Sequence, residues 1–185
     1  MAVQIQRATI EEFERFIGLP ENADRLFEYI GGEIVEVPSN PYSSYLGARI
    51  SRHLMDFVEA HDLGYVTGEA GGYMVSGERY APDVAFVSKA RQPQLARTGY
   101  NPAPPDLAVE IFSPTDSERR LSVKISNYLA AGTVVAVVYP DEQEIAIHRP
   151  GQRVTILGID DTLDGGDILP GFRLPLKAIF PEPAG

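Results

Sequence analysis

Residues 106–132 read DLAVEIFSPTDSERRLSVKISNYLAAG: a short apolar run, a Ser-Pro stop, then a segment with helical spacing. The run LAVEIF, with β-branched and aromatic members ended by Ser113-Pro114, predicts a strand buried on both faces. Glu110 interrupts it. An ionised carboxylate in such a place must find a cation, a metal or strong donors, because leaving it unpaired is costly. The following SERRLSVKISNYLAAG predicts a helix from about Ser117 to Ala131, closed by Gly132, with Leu121, Ile125, Tyr128 and Leu129 as its apolar stripe. Lys124 falls inside that stripe, so its ammonium points toward the sheet or the sheet's edge.

Upstream, RYAPDVAFVS repeats the pattern of a carboxylate beside an apolar strand. Pro82-Asp83 opens the strand, which puts Asp83 at its mouth while Val84 to Val87 continue into the core. Two neighbouring buried strands would then each offer a carboxylate, and a hard divalent cation such as Mg²⁺ relieves the repulsion between them. Around these strands, TIEEFERFI predicts a short helix with Thr9 as cap and Glu12 completing the capping box. RLFEYIGGEIVEV predicts a hairpin turning at Gly31-Gly32. Residues 42–61 place Tyr45, Leu46, Ile50, Leu54, Phe57 and Val58 on one helical stripe that ends before Gly64. Short strands are expected around GYVTG, GYMVS and TVVAVVYP. EIAIHRP, RVTILG and DILPGFRLPL predict a terminal β-meander with a proline-rich exit. Strands interleaved with two substantial helices make this an α/β (α+β) chain with helices covering a central sheet.

The 185 residues suit a single domain, 1–185, with no repeat or long linker. The absence of Cys excludes disulfides, thiolate zinc sites and a cysteine nucleophile. No Ser-His-acid order matches a known nucleophilic template. The histidines, His53, His61 and His148, lack ligand spacing. No apolar run approaches the roughly 20 residues of a membrane span, and the acidic N-terminal stretch is unlike a signal peptide. A soluble, cytoplasmic protein with no membrane partner is expected. A net charge of −10 argues against broad affinity for nucleic acid.

The order of these features, a Pro-Asp pair, an apolar strand carrying Glu, then a helix with Lys, Tyr four residues on and a closing Gly, resembles the Uma-two family of proposed restriction endonucleases. That family lies within the PD-(D/E)XK nuclease superfamily. RLFEYIGGEIVEV resembles its N-terminal hairpin and ILPGFRLPLKAIF its closing segment, so the likeness covers most of the chain. The resemblance implies a restriction-endonuclease-like mixed sheet flanked by helices. It also implies Asp83 and Glu110 as ligands of Mg²⁺ or Mn²⁺, and DNA as substrate. The superfamily's usual lysine position, two residues after the glutamate, is Phe112 here; in the Uma-two pattern the lysine has moved to the next helix, where Lys124 stands. Glu33 matches a recurrent family glutamate and would complete an acidic catalytic set with Asp83, Glu110 and Lys124.

What such residues could support is metal-assisted phosphodiester hydrolysis, with no covalent enzyme intermediate. A homodimer would provide the two sites needed to cut both strands. Each residue also has a plainer account: Asp83 as a turn cap, Glu110 paired with Arg119 or Arg120, Lys124 snorkelling, Glu33 facing solvent and Tyr128 in the core. The corresponding function is a catalytically inactive nuclease-fold scaffold for protein interaction, with the net charge and the displaced lysine in its favour. For a nuclease, DNA contacts would come from local basic clusters: Arg49, Arg52 and His53; Lys89, Arg91 and Arg97; Arg119 and Arg120.

Overall fold

A computed structural model describes residues 7–37, 40–113 and 116–180. The expected start of the chain, Pro114 of the Ser-Pro stop and the prolines after Phe180 lie outside the described residues. Helix α1 (Ile10–Ile17) opens with the expected capping box: Glu12 N donates to Thr9 Oγ1 at 3.2 Å and Thr9 N to Glu12 Oε2 at 2.7 Å. Strands β1 (Phe27–Ile30) and β2 (Glu33–Glu36) form the predicted hairpin. Gly31 and Gly32 turn it with φ of 56° and 84°, values that admit a type I′ turn and favour glycine at both positions.

Helix α2 (Pro41–Ala60) is capped by Asn40 and precedes β3 (Gly64–Gly68). A second hairpin, β4 (Tyr73–Val75) and β5 (Glu78–Tyr80), joins the first, giving a four-stranded antiparallel sheet of order β2-β1-β5-β4. Strand β5 was not expected from the sequence; only its partner was. Three residues between Gly77 and the Ala81-Pro82 break are too few to show an alternation.

The central sheet has six strands in the order β10-β9-β8-β7-β6-β3, adding β6 (Val84–Ser88), β7 (Leu107–Ile111), β8 (Val134–Tyr139), β9 (Glu144–His148) and β10 (Thr155–Leu157). Only β7 and β8 run parallel, and α3 (Glu118–Ala130) makes the crossover between them. Ser117 caps α3, and Gly132, at φ 76°, follows its end as expected.

This sheet is buried on both faces. On one side Leu46, Ile50, Leu54 and Val58 of α2 pack against Val84, Val109 and Val138. On the other, Tyr128 of α3 and Tyr73, Val75 and Tyr80 of the small sheet cover Ala85, Ala108 and Val137. Tyr45, placed on the α2 stripe from sequence, is instead 44% exposed and stacks beside Tyr42 with ring centroids 6.4 Å apart.

The expected C-terminal meander divides in two. β9 and β10 complete the central sheet, whereas β11 (Thr162–Asp164) and β12 (Arg173–Pro175) pair only with each other. Between β10 and β11 the chain turns where Asp161 N donates to Gly158 O and Gly158 N to Asp161 Oδ2. The ribbon's Leu163 and Leu174, with Leu169 and Phe172, join the α2 core instead of extending the sheet.

Candidate active site

Alternation along β7 sends Leu107, Val109 and Ile111 toward α2, and Ala108 and Glu110 toward α3 and the small sheet. Val84 pairs with Val109 across β6 and β7, so Asp83, one residue earlier, comes alongside Glu110. Asp83 is fixed there by Ile111 N, which donates to its Oδ2 at 2.7 Å. From α3, one turn apart, Lys124 and Tyr128 descend on the same spot. Lys124 Nζ donates to Glu110 Oε2 at 2.6 Å and Tyr128 OH to Glu110 Oε1 at 3.0 Å.

The partner that Glu110 requires is therefore Lys124. Arg120 pairs elsewhere. Lys124 also donates to Glu28 Oε1 at 2.8 Å, an oxygen that accepts from Ala81 N at 2.8 Å as well. The ammonium lies 5.6 Å from the ring centroid of Tyr80. Glu28, Glu110 and Lys124 are 7%, 7% and 6% exposed, so the group is desolvated and each charge depends on the others.

Asp83, Glu110 and Lys124 are thus brought together; Glu33 is not. Its Oε2 accepts from Arg120 at 2.9 Å (Nε) and 2.8 Å (Nη2) at the surface. The hairpin's carboxylate in the cluster is Glu28, not the expected Glu33. The signal was present: FEYI carries a carboxylate in an apolar strand, as LAVEIF does. In the hairpin register Ile30 faces Glu33 and Glu28 faces Val35, so all four side chains share a face. Glu33 stands beside the turn and reaches outward, whereas Glu28 stands over the central sheet.

These residues line a cavity of about 310 Å³ whose walls include Glu28, Ser43, Asp83, Glu110, Arg120 and Lys124. Three carboxylates face one ammonium in it. Burial pushes the Asp83 carboxyl up to about 6, against the Ile111 N–H and Lys124, which favour its charge. Burial likewise raises Glu110, outweighing the pull of Lys124, with Glu28 and Asp83 adding to the rise. For Lys124 burial acts downward, but Glu110 and Glu28 overcome it and hold the ammonium above its ordinary range. Tyr128 is raised by burial and by the Glu110 charge beside it, and so remains a hydrogen-bond donor.

Among the described residues, no three His, Asp or Glu side chains converge to hold an ion unaided. The donor set nevertheless fits a small hard cation, since Mg²⁺ is commonly held by one or two carboxylates, with waters and substrate phosphate completing its shell. Asp83 Oδ1 makes no hydrogen bond among the described residues, and each oxygen of Glu110 has a lone pair beyond the one it shares.

The raised Asp83 pKa has a consequence for stability. With a folded value near 6 against an ordinary 3.8, Asp83 favours folding below about pH 4; that contribution is lost as pH rises through about 6. At pH 8, without metal, the strain is on the order of 3 kcal/mol. Asp83→Asn is therefore expected to melt higher than wild type at about pH 8 in chelator, by roughly 1–3 kcal/mol, with the advantage gone near pH 4. A variant that melts lower at pH 8 would show Asp83 to be a structural cap.

A mixed sheet with one parallel pair, a crossover helix and carboxylates at adjoining strands places the chain among restriction-endonuclease-like proteins. The chain belongs to the Uma2 family, described as "Putative restriction endonuclease", which matches residues 10–177. It is also similar to a solved structure, that of a putative nuclease from Anabaena variabilis ATCC 29413. The two share 23% identity over 93% of this chain and 97% of the other, with a TM-score of 0.79. At that identity the likeness shows the fold. No curated protein matches the chain. Among the described residues, no helix is long and apolar enough to cross a membrane.

Proposed function

We propose that the chain is a Mg²⁺- or Mn²⁺-dependent endonuclease that hydrolyses DNA phosphodiesters, acting in the cytoplasm as a homodimer so that two sites meet the two strands. The observation that carries this is the excess of carboxylates in one cavity: Glu28 and Glu110, both buried, and the half-buried Asp83, against the buried Lys124. A scaffold gains no stability from that excess, whereas a divalent cation offsets it. Asp83 and Glu110 would hold the ion, and bound there it would polarise a non-bridging phosphate oxygen and lower the pKa of a water.

The protein's own groups set the stage for this. Tyr128 and Lys124 fix both oxygens of Glu110, and Ile111 N fixes Asp83, so neither carboxylate needs ordering when substrate arrives. Lys124, kept protonated by its two carboxylates, supplies positive charge beside the cavity where phosphate charge develops. Glu28 anchors that ammonium.

The reading of an inactive scaffold draws on the same contacts, because Lys124 is committed to an ion pair on each side. Nicking of supercoiled plasmid separates the two. Wild-type protein is expected to nick with Mg²⁺ or Mn²⁺ and not with chelator. Intact plasmid under all three conditions would favour the scaffold.

A further inference from the structure

The basic clusters expected to contact nucleic acid are mostly engaged elsewhere. Arg49 donates to the carbonyl of Ala178 at 3.1 and 2.7 Å, Lys89 is held by Asp62, and Arg91 pairs with Asp106 at 3.0 Å. Arg120 differs. It lines the catalytic cavity, its side chain is 44% exposed, and it stands one helical turn before Lys124 on the same face of α3. Glu33 Oε2 takes its Nε and Nη2. A guanidinium carries five N–H donors in a planar fork, so the edge made by Nη1 and the second Nη2 hydrogen remains. Among the described residues nothing hydrogen-bonds to Nη1.

An arginine in the first turn of a helix opposes the macrodipole, so α3 itself gives no reason for one there. Across the cavity, in the first turn of α2, Ser43 is only 8% exposed. Its hydroxyl makes no hydrogen bond among the described residues. No enclosed side-chain polar atom among them lacks a partner, so that hydroxyl is not sealed off, and Ser43 lines both the Arg120 cavity and a smaller neighbouring one.

We infer that Arg120 binds a backbone phosphate of the substrate through its unoccupied edge, with Ser43 on the facing wall, and that Glu33 is a positioning residue that holds the guanidinium at the cavity mouth. The ligand is a phosphodiester anion, and the inference rests on the proposed endonuclease activity. Paired fork geometry suits an arginine to this task, and a guanidinium already fixed by Glu33 loses less freedom on binding.

The test uses the full chain, a fluorescein-labelled DNA duplex in metal-free low-salt buffer, and cleavage kinetics with Mg²⁺. Arg120→Gln is expected to weaken duplex binding about tenfold or more and to raise KM while kcat changes less than about threefold. Its plot of log affinity against log salt should flatten by about one unit. Arg120→Lys should keep the wild-type salt slope with weaker binding, since the charge remains and the fork does not. Glu33→Gln should weaken binding roughly threefold to tenfold, and the double variant should bind no worse than Arg120→Gln alone, because one residue acts through the other. Tighter binding by Glu33→Gln would make it a competitor for the arginine and overturn the inference, as would unchanged affinity and KM in Arg120→Gln. Protein that binds duplex through Arg120 but never cleaves it contradicts the endonuclease reading alone. Active protein indifferent to Arg120→Gln contradicts the phosphate assignment alone.

Discussion

Lys124→Met is expected to cost about 3–5 kcal/mol of stability in urea denaturation and to stop cleavage altogether. The methionine keeps most of the stem's packing, so the loss comes from charge. Without the ammonium, Glu28 and Glu110 face each other in a desolvated pocket where Lys124 had bonded both, at 2.8 and 2.6 Å. The remaining donors, Ala81 N and Tyr128 OH, neutralise neither carboxylate. Protonation of Glu110, whose pKa burial already raises, relieves the repulsion, so the deficit should be largest near pH 8 and shrink as pH falls. A variant within about 1 kcal/mol of wild type at pH 8 would mean the ion pairs carry little of the fold.

Glu110→Gln separates catalysis from folding more sharply. The amide oxygen can still accept from Lys124, the amide nitrogen can donate to the Tyr128 hydroxyl, and Glu28 keeps the ammonium paired. Stability should therefore stay within about 2 kcal/mol of wild type. A metal ligand and a unit of charge are nonetheless gone, and plasmid nicking should fall about a thousandfold or more. Folded protein that still nicks at the wild-type rate would remove Glu110 from the chemistry.

Much of this site was legible because its signals are local. A carboxylate inside LAVEIF and a lysine inside a helix's apolar stripe each contradict their surroundings, and such contradictions mark residues whose partners lie elsewhere in the chain. Glu28 escaped because it and Glu33 share one face of a hairpin; what separates them is where the hairpin docks on β7 and α3. That docking is a long-range event with no sequence period. Tyr45 followed the helical spacing of α2 but not its burial, since α2 buries a narrower stripe than apolar spacing suggests.

The C-terminal strands were visible as strands, and their division between two sheets was not. β10 exposes Ile156 at the edge of the central sheet, while β11 and β12 find their apolar surface on α2. Alternation tells which residues turn inward, not which layer they turn toward.

Asp83 and Glu110 are proposed to stand together to hold a metal ion and not to stabilise the fold. An anomalous-scattering map from crystals soaked in Mn²⁺ tests this most directly. One peak is expected between the two carboxylates, because two hard oxygen donors with waters suit Mn²⁺ as they suit Mg²⁺. Mn²⁺ bound elsewhere, with Asp83 still on Ile111 N and Glu110 still closed by Lys124 and Tyr128, would contradict it.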